Sequence, residues 1–219
     1  MFTKADNVLV WEHITQARSE IHTYISSLED AQWNHVTLCS GWRVRDVVGH
    51  LILLYQYSAG DWAGGLIRSK LSINKFFSDT AIQMGNKDRT DLLERFRKVI
   101  NIQEIPAIVP PLNALVDALI HEQDMRIALG HPRNMPLESL QLIFEHWRPG
   151  RYNLGERITA IHKRTAGLQF VADDIGISYG EGLEVVGRSQ DILLIIAGRK
   201  AVLGNLSGEG IDVLTQRLA

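Results

Sequence analysis

What this 219-residue sequence lacks narrows the work it can do. It has one cysteine, Cys39, so no internal disulfide can form and a reducing, cytoplasmic setting is expected. No apolar run approaches the roughly 18 residues needed to cross a bilayer. The longest, VVGHLILLY and DILLIIAG, fall far short. The opening MFTKADNVLVWEHITQ shows no long apolar stretch behind a basic start, so no signal peptide is expected and the sequon at Asn205 carries no meaning. Charge of one sign is missing too. Net charge is -2 at a sequence pI of about 6.4, without any Lys/Arg block, which argues against a nucleic-acid or membrane-surface partner. Neither a repeat nor a low-complexity tract is present. The glycine clusters GEGLEVVG (180–187) and GNLSGEG (204–210) do not match G-x-G-x-x-G and join no strand to a helix, so nucleotide binding is unsupported. No Ser-His-Asp order and no acidic dyad stands out.

What remains is an ordinary globular composition, 45% hydrophobic and 22% charged, in a chain long enough for a sizeable core. Apolar residues recur at helical spacing through Leu9, Ile14, Ala17, Ile21, Tyr24, Ile25 and Leu28, and again from Arg43 through Val44, Val47, Val48, Leu51, Leu54 and Tyr55. GDWAGGL loosens the pattern, with a variable helical stretch to about Met84. Thr90 is placed to cap DLLERFRKVI. The prolines of IPAIVPPLN forbid a helix there; one then runs from about Asn113 to Leu129 and another from Pro136 to Trp147. After RPG (148–150) the pattern becomes short and alternating, in GLQFVADD, IGISYG and LEVVG. Two short helices follow, the first with Ser189 as cap and Gly198 as stop. The fold class is therefore α+β: a helical domain over 1–150, then a smaller α+β domain over 151–219.

The chemistry gathers on DALIHEQDMRIALGHP (117–132). Positions four apart share a helix face, so Asp117 and His121 can chelate one ion. A catalytic zinc site takes three protein ligands and keeps a fourth position open. His50, beside the apolar stripe of CSGWRVRDVVGHLILLY, could be the third. Spacing alone leaves an alternative, a core-edge histidine satisfied by a carbonyl or carboxylate. Asp124 lies on nearly the same face as His121, as a partner behind it, a fourth ligand or a structural group holding an arginine such as Arg45, with the structural role favoured. Cys39 reads as a small residue in the turn before a helix, with no base beside it. His13, His22, His35, His131, His146 and His162 read as solvent or helix-end positions, and Asp173 and Asp174 as turn residues.

LCSGWRVRDVVGHL, DALIHEQDMRIALG and the tail GLQFVADDIGISYGEGLEVVGRSQDILLIIAGR…LSGEG resemble the mycothiol-dependent maleylpyruvate isomerase family of actinobacteria. The resemblance implies a DinB-like metal-binding four-helix bundle followed by a sterol-carrier-protein-like domain. It implies zinc, or another divalent metal, held by His50, Asp117 and His121, with mycothiol as the thiol cofactor. It matches Arg199, in AGR, to a catalytic arginine that would stabilise a substrate carboxylate or enolate. The activity implied is an isomerase or S-transferase acting on a small electrophile, zinc activating the thiol. The alternatives are a non-catalytic metal- or ligand-binding protein of the same fold, and a hydrolase using zinc-bound water. Two departures stand out. Asp117 replaces the isomerase's longer Glu, and Arg43 stands where many members have an N-capping Thr, a change that would cost about 1 kcal/mol.

Overall fold

Val10, Ile14, Ala17, Ile21 and Ile25 are buried along one face of α1 (Lys4–Ser27). Leu9, expected on that face, is exposed and Val10 takes its place, one residue being a rotation of about 100° on a 3.6-residue period. The computed structural model describes residues 4–56, 58–105, 109–146 and 161–218. A single turn, α2 (Asp30–Trp33), buries Trp33, whose indole N–H donates to the Ile25 carbonyl at 3.1 Å. It is followed by α3 (Val44–Gln56), α4 (Ala59–Arg68), α5 (Ile73–Gly85), α6 (Arg89–Val99) and α7 (Pro111–Ala128). α1 packs on α6 and α7, and α3 packs on α6 and α7 as well, making the bundle; α5 lies along α3.

Helix starts differ from expectation in instructive ways. At α3 the cap is built from inside the helix: the Asp46 carboxylate accepts the Arg43 backbone N–H at 2.9 Å and the Arg43 guanidinium at 2.8 Å on each oxygen. The missing Thr is thereby replaced by a buried acid that also holds an arginine. α6 starts two residues, about half a turn, earlier than expected, with Asp88 rather than Thr90 at the cap position. α7 begins at Pro111, a residue suited to the first turn because its missing N–H would have no partner there.

The close approach of α3 and α5 depends on two glycines. A Cβ on Gly49 would stand 2.7 Å from the Ala81 carbonyl oxygen, and one on Gly85 would stand 2.3 Å from Asp46 Oδ1. Gly49 immediately precedes His50, so this contact fixes the backbone that presents the histidine.

The chain divides into two compact units, Met1–Arg133 and Asn134–Ala219. The expected boundary, RPG at 148–150, lies outside the described residues. α8 (Leu137–His146), grouped by sequence with the first domain, belongs to the second unit, where it lies against β2 (Ile177–Gly180). The second unit continues with α9 (Ile161–Thr165), β1 (Leu168–Ala172), β2, β3 (Leu183–Gly187), α10 (Ser189–Ile196), a 3-10 turn (Lys200–Asn205) and α11 (Ile211–Leu218). The sheet order is β2-β1-β3, with β1 antiparallel to β2 and parallel to β3. α10 packs on β1 and β3, and its Ile192 to Ile196 are all buried. Gly198 (φ +91°) ends α10 as expected. Ser189 does not cap it; the hydroxyl donates to Asp174, whose other oxygen accepts the Ser189 N–H at 2.8 Å. A helical unit followed by a smaller α+β unit is the α+β class expected from the sequence.

Candidate metal centre

α7 is apolar or polar without a clear stripe because almost all of its middle is inside. His121, Glu122, Gln123 and Asp124 are four consecutive polar residues, all buried. Each is satisfied. Glu122 Oε1 accepts from Arg126 Nε at 2.7 Å, and Gln123 Nε2 donates to the Arg133 carbonyl at 2.7 Å. His121 Nδ1 lies 2.8 Å from Asp124 Oδ2. A polar sequence run is thus a buried network, which is what a bundle-core site requires.

That last contact leaves His121 Nε2 free, and it lies 3.4 Å from Asp117 Oδ1. From α3, His50 Nε2 lies 3.4 Å from Asp117 Oδ2. The two imidazoles meet edge to face with centroids 4.9 Å apart, under Trp42, 5.0 Å from His50 and 5.8 Å from His121, and beside Phe77. One donor atom from each of His50, Asp117 and His121 lies within 4.8 Å of the others. His50 Nδ1 is buried and makes no hydrogen bond among the described residues, so no carboxylate stands behind that ring as Asp124 stands behind His121.

The separations carry chemical information. A charge-assisted N–H···O bond is about 2.7–2.9 Å long. Ligands about 2.0–2.2 Å from a zinc ion in tetrahedral array stand about 3.3–3.5 Å apart. Both Nε2–Oδ distances, one to each Asp117 oxygen, are longer than the first figure and near the second, and the donors, two imidazoles and a carboxylate, suit a divalent cation. The electrostatics agree. Burial by itself would push His121 down, but Asp117 and Asp124 outweigh it and raise it to about 9. Burial would likewise raise Asp117, yet His50 and His121 hold its carboxyl well below the usual range. The Asp117 side chain is 39% exposed, giving the cluster an open side.

Of the remaining candidates, Asp124 is the partner behind His121; Arg45 does not meet it but donates to the carbonyls of Gly85 and Lys87 and to Asn34. Cys39 Sγ comes within 4.8 Å of donor atoms of both His121 and Asp124, a neighbourhood invisible in a sequence that separates them by more than eighty positions. His22 stacks on Phe96, and His131 meets Tyr24 at 3.2 Å. Neither joins the cluster. Arg199 belongs to the second unit, where its Nη1 donates to the Ala197 carbonyl at 2.7 Å. Sequence reasoning passed over Arg18 and Tyr55, which line a small cavity with Asp117. The signal was there: Arg18 sits inside the apolar stripe of α1, between Ala17 and Ile21.

Residues 14–101 match the family model described as the mycothiol maleylpyruvate isomerase N-terminal domain. Over this segment the chain is similar to that family. The mycothiol maleylpyruvate isomerase match covers His50 but stops short of α7, so Asp117 and His121 join the histidine through the fold alone. Solved structures of the mycothiol-dependent maleylpyruvate isomerase are similar over nearly the whole chain. A variant of that enzyme aligns over 95% of this chain and 96% of its own, at 13% identity and a TM-score of 0.61. A second structure of the isomerase aligns over the same shares at 13% identity and a TM-score of 0.57. At such identity the likeness is one of fold. No curated protein matches the sequence. Among the described residues, no helix is long and apolar enough to cross a membrane.

Proposed function

We propose that the helical unit binds a divalent cation, zinc foremost, through His50, Asp117 and His121, and that the protein is a mycothiol-dependent isomerase or S-transferase acting on a small electrophile. The observation that carries this is the pair of 3.4 Å separations by which two imidazole Nε2 atoms flank one carboxylate. Bound there, zinc would lower the pKa of a cofactor thiol and keep it as a thiolate for attack. The protein's own groups do the rest. Asp124 holds His121 in the tautomer that presents Nε2, and Asp117 supplies the negative charge that balances a cation. Trp42 and Phe77 wall the imidazoles and keep water from that side. The isomerase named by the similar structures gives the reaction class; the resemblance of AGR gives Arg199 the task of steadying a carboxylate or enolate on the substrate.

The test is elemental analysis of protein purified without added metal, followed by a thiol-adduct assay against a panel of small electrophiles. Stoichiometric zinc in wild-type protein and none in folded His121→Ala is the expected result, with Asp117→Glu, which restores the isomerase's longer acid, keeping the metal. Zinc without any adduct would make the protein a binder. No metal at these three side chains would end the proposal.

A further inference from the structure

Arg18 is a buried cation. It is 3% exposed, on the face of α1 that packs into the bundle. Its Nη1 donates to the carbonyls of Val99, Ile100 and Ile102, at 2.7, 3.2 and 2.7 Å, closing the C-terminus of α6. The guanidinium lies over the Tyr55 ring, 4.0 Å from the centroid. Nη2 is buried as well and makes no hydrogen bond. Among the described residues no carboxylate forms an ion pair with Arg18. A desolvated N–H without an acceptor is costly, and more so on a charged group.

The unused nitrogen belongs to a side chain on the wall of a small cavity, which has room for about one water molecule. The polar side chains of that wall are Arg18, Tyr55 and Asp117, with Leu51, Ala114 and Ala118 among the apolar ones. A buried water makes about three hydrogen bonds, so one that accepts from Nη2 has its own hydrogens to place. Asp117 is the anion in the wall. Each of its oxygens stands 3.4 Å from a histidine Nε2. A carboxylate oxygen carries two lone pairs, so facing a histidine leaves one for a water.

We propose that one water in this cavity links Arg18 Nη2 to the Asp117 carboxylate, which makes Arg18 a positioning residue for the metal cluster. The consequence for zinc rests on the metal proposal; the water link does not. Arg18 touches neither cation nor substrate and acts by charge. A water polarised by the guanidinium draws electron density from the carboxylate and holds it between His50 and His121. The positive charge reaches further in the low dielectric of the bundle than it would in water. Arg18 therefore opposes a cation at the cluster and keeps the grip of Asp117 below what the same three ligands would otherwise give. An ion held in this way stays electron-poor, the state that best accepts a thiolate.

A crystal structure of the wild-type protein, at a resolution that shows ordered water, tests the link directly. A water within hydrogen-bond distance of both Arg18 Nη2 and an Asp117 oxygen is expected. A dry cavity, or a water that reaches Arg18 alone, overturns the proposal. The charge is tested by zinc affinity, measured by chelator competition, with the melting temperature followed on each sample. Arg18→Met removes the charge at similar length and is expected to tighten zinc binding on the order of tenfold. Loss of a merely structural side chain would instead loosen it or leave it unchanged. Arg18→Lys keeps the charge and is expected to bind zinc as wild type does. Unchanged or weaker binding by folded Arg18→Met overturns the role of Arg18, as does equal tightening by Arg18→Lys. Should Arg18→Met fail to fold, because Arg18 also closes α6, the crystal structure and Arg18→Lys decide. If wild type takes up no zinc, the metal proposal fails on its own, and the water in the zinc-free crystal structure still decides the link.

Discussion

His121 Nδ1 and Asp124 Oδ2 lie 2.8 Å apart in a part of the bundle where the Asp124 side chain has no exposure at all. This carboxylate decides which nitrogen of the imidazole is available. Asp124→Asn keeps the shape but loses the charge. It is expected to weaken zinc affinity about 10- to 100-fold, as measured by competition with a chelator, and to lower the melting temperature of the zinc-free protein at neutral pH, where the charged His121 loses a partner. Undiminished affinity would show that packing alone orients His121.

His121 also sets the pH dependence. In the metal-free protein it is raised from 6.5 to about 9, by Asp117 and Asp124 acting against burial. A raised folded pKa contributes stability that is complete below about 6.5 and lost as pH rises through about 9. Metal needs the neutral ring, so between those values uptake must expel the proton. Zinc titrated at pH 7.5 in buffers of different ionisation enthalpy should release about one proton from His121, and zinc affinity should climb with pH until about 9. Affinity flat over this range would mean the ring is already neutral.

Gly49→Ala probes the helix contact behind His50. The added methyl would meet Ala81 O at 2.7 Å and Gly85 N at 2.9 Å, both backbone atoms that cannot swing aside. Overpacking of this kind costs about 1–3 kcal/mol. In a chain of this size that is a fall of several degrees in melting temperature, on the order of 2–4 °C per kcal/mol. Zinc affinity should fall with it, since α3 must shift and carries His50.

Arg199 is testable apart from the metal. Arg199→Ala is expected to leave zinc content unchanged and to lower adduct turnover by about 10²- to 10³-fold, the usual effect of removing a group that stabilises developing negative charge. Turnover equal to wild type would remove Arg199 from the machinery and leave it as the residue that closes α10.

Much of this protein follows from local sequence rules. The i, i+4 spacing places Asp117 and His121 on one face whatever the helix packs against, and Gly198 ends α10 because it alone there tolerates φ +91°. The alternating stretches after Thr165 become β1, β2 and β3 for the same local reason, a period of two with glycine at the turns. Contacts between distant segments were beyond such rules. That HEQD at 121–124 is interior and not a solvated face depends on Arg126, Arg133 and the Leu38 N–H, which donates to the Asp124 carbonyl at 3.2 Å. That α8 joins the second unit depends on its packing with β2. Pairing His50 with Asp117, and setting the unpaired nitrogen of Arg18 in a cavity beside them, requires α1, α3 and α7 to converge. Helical periodicity determines which side of each helix goes inward, and only the packing of three helices determines which inward side chains meet.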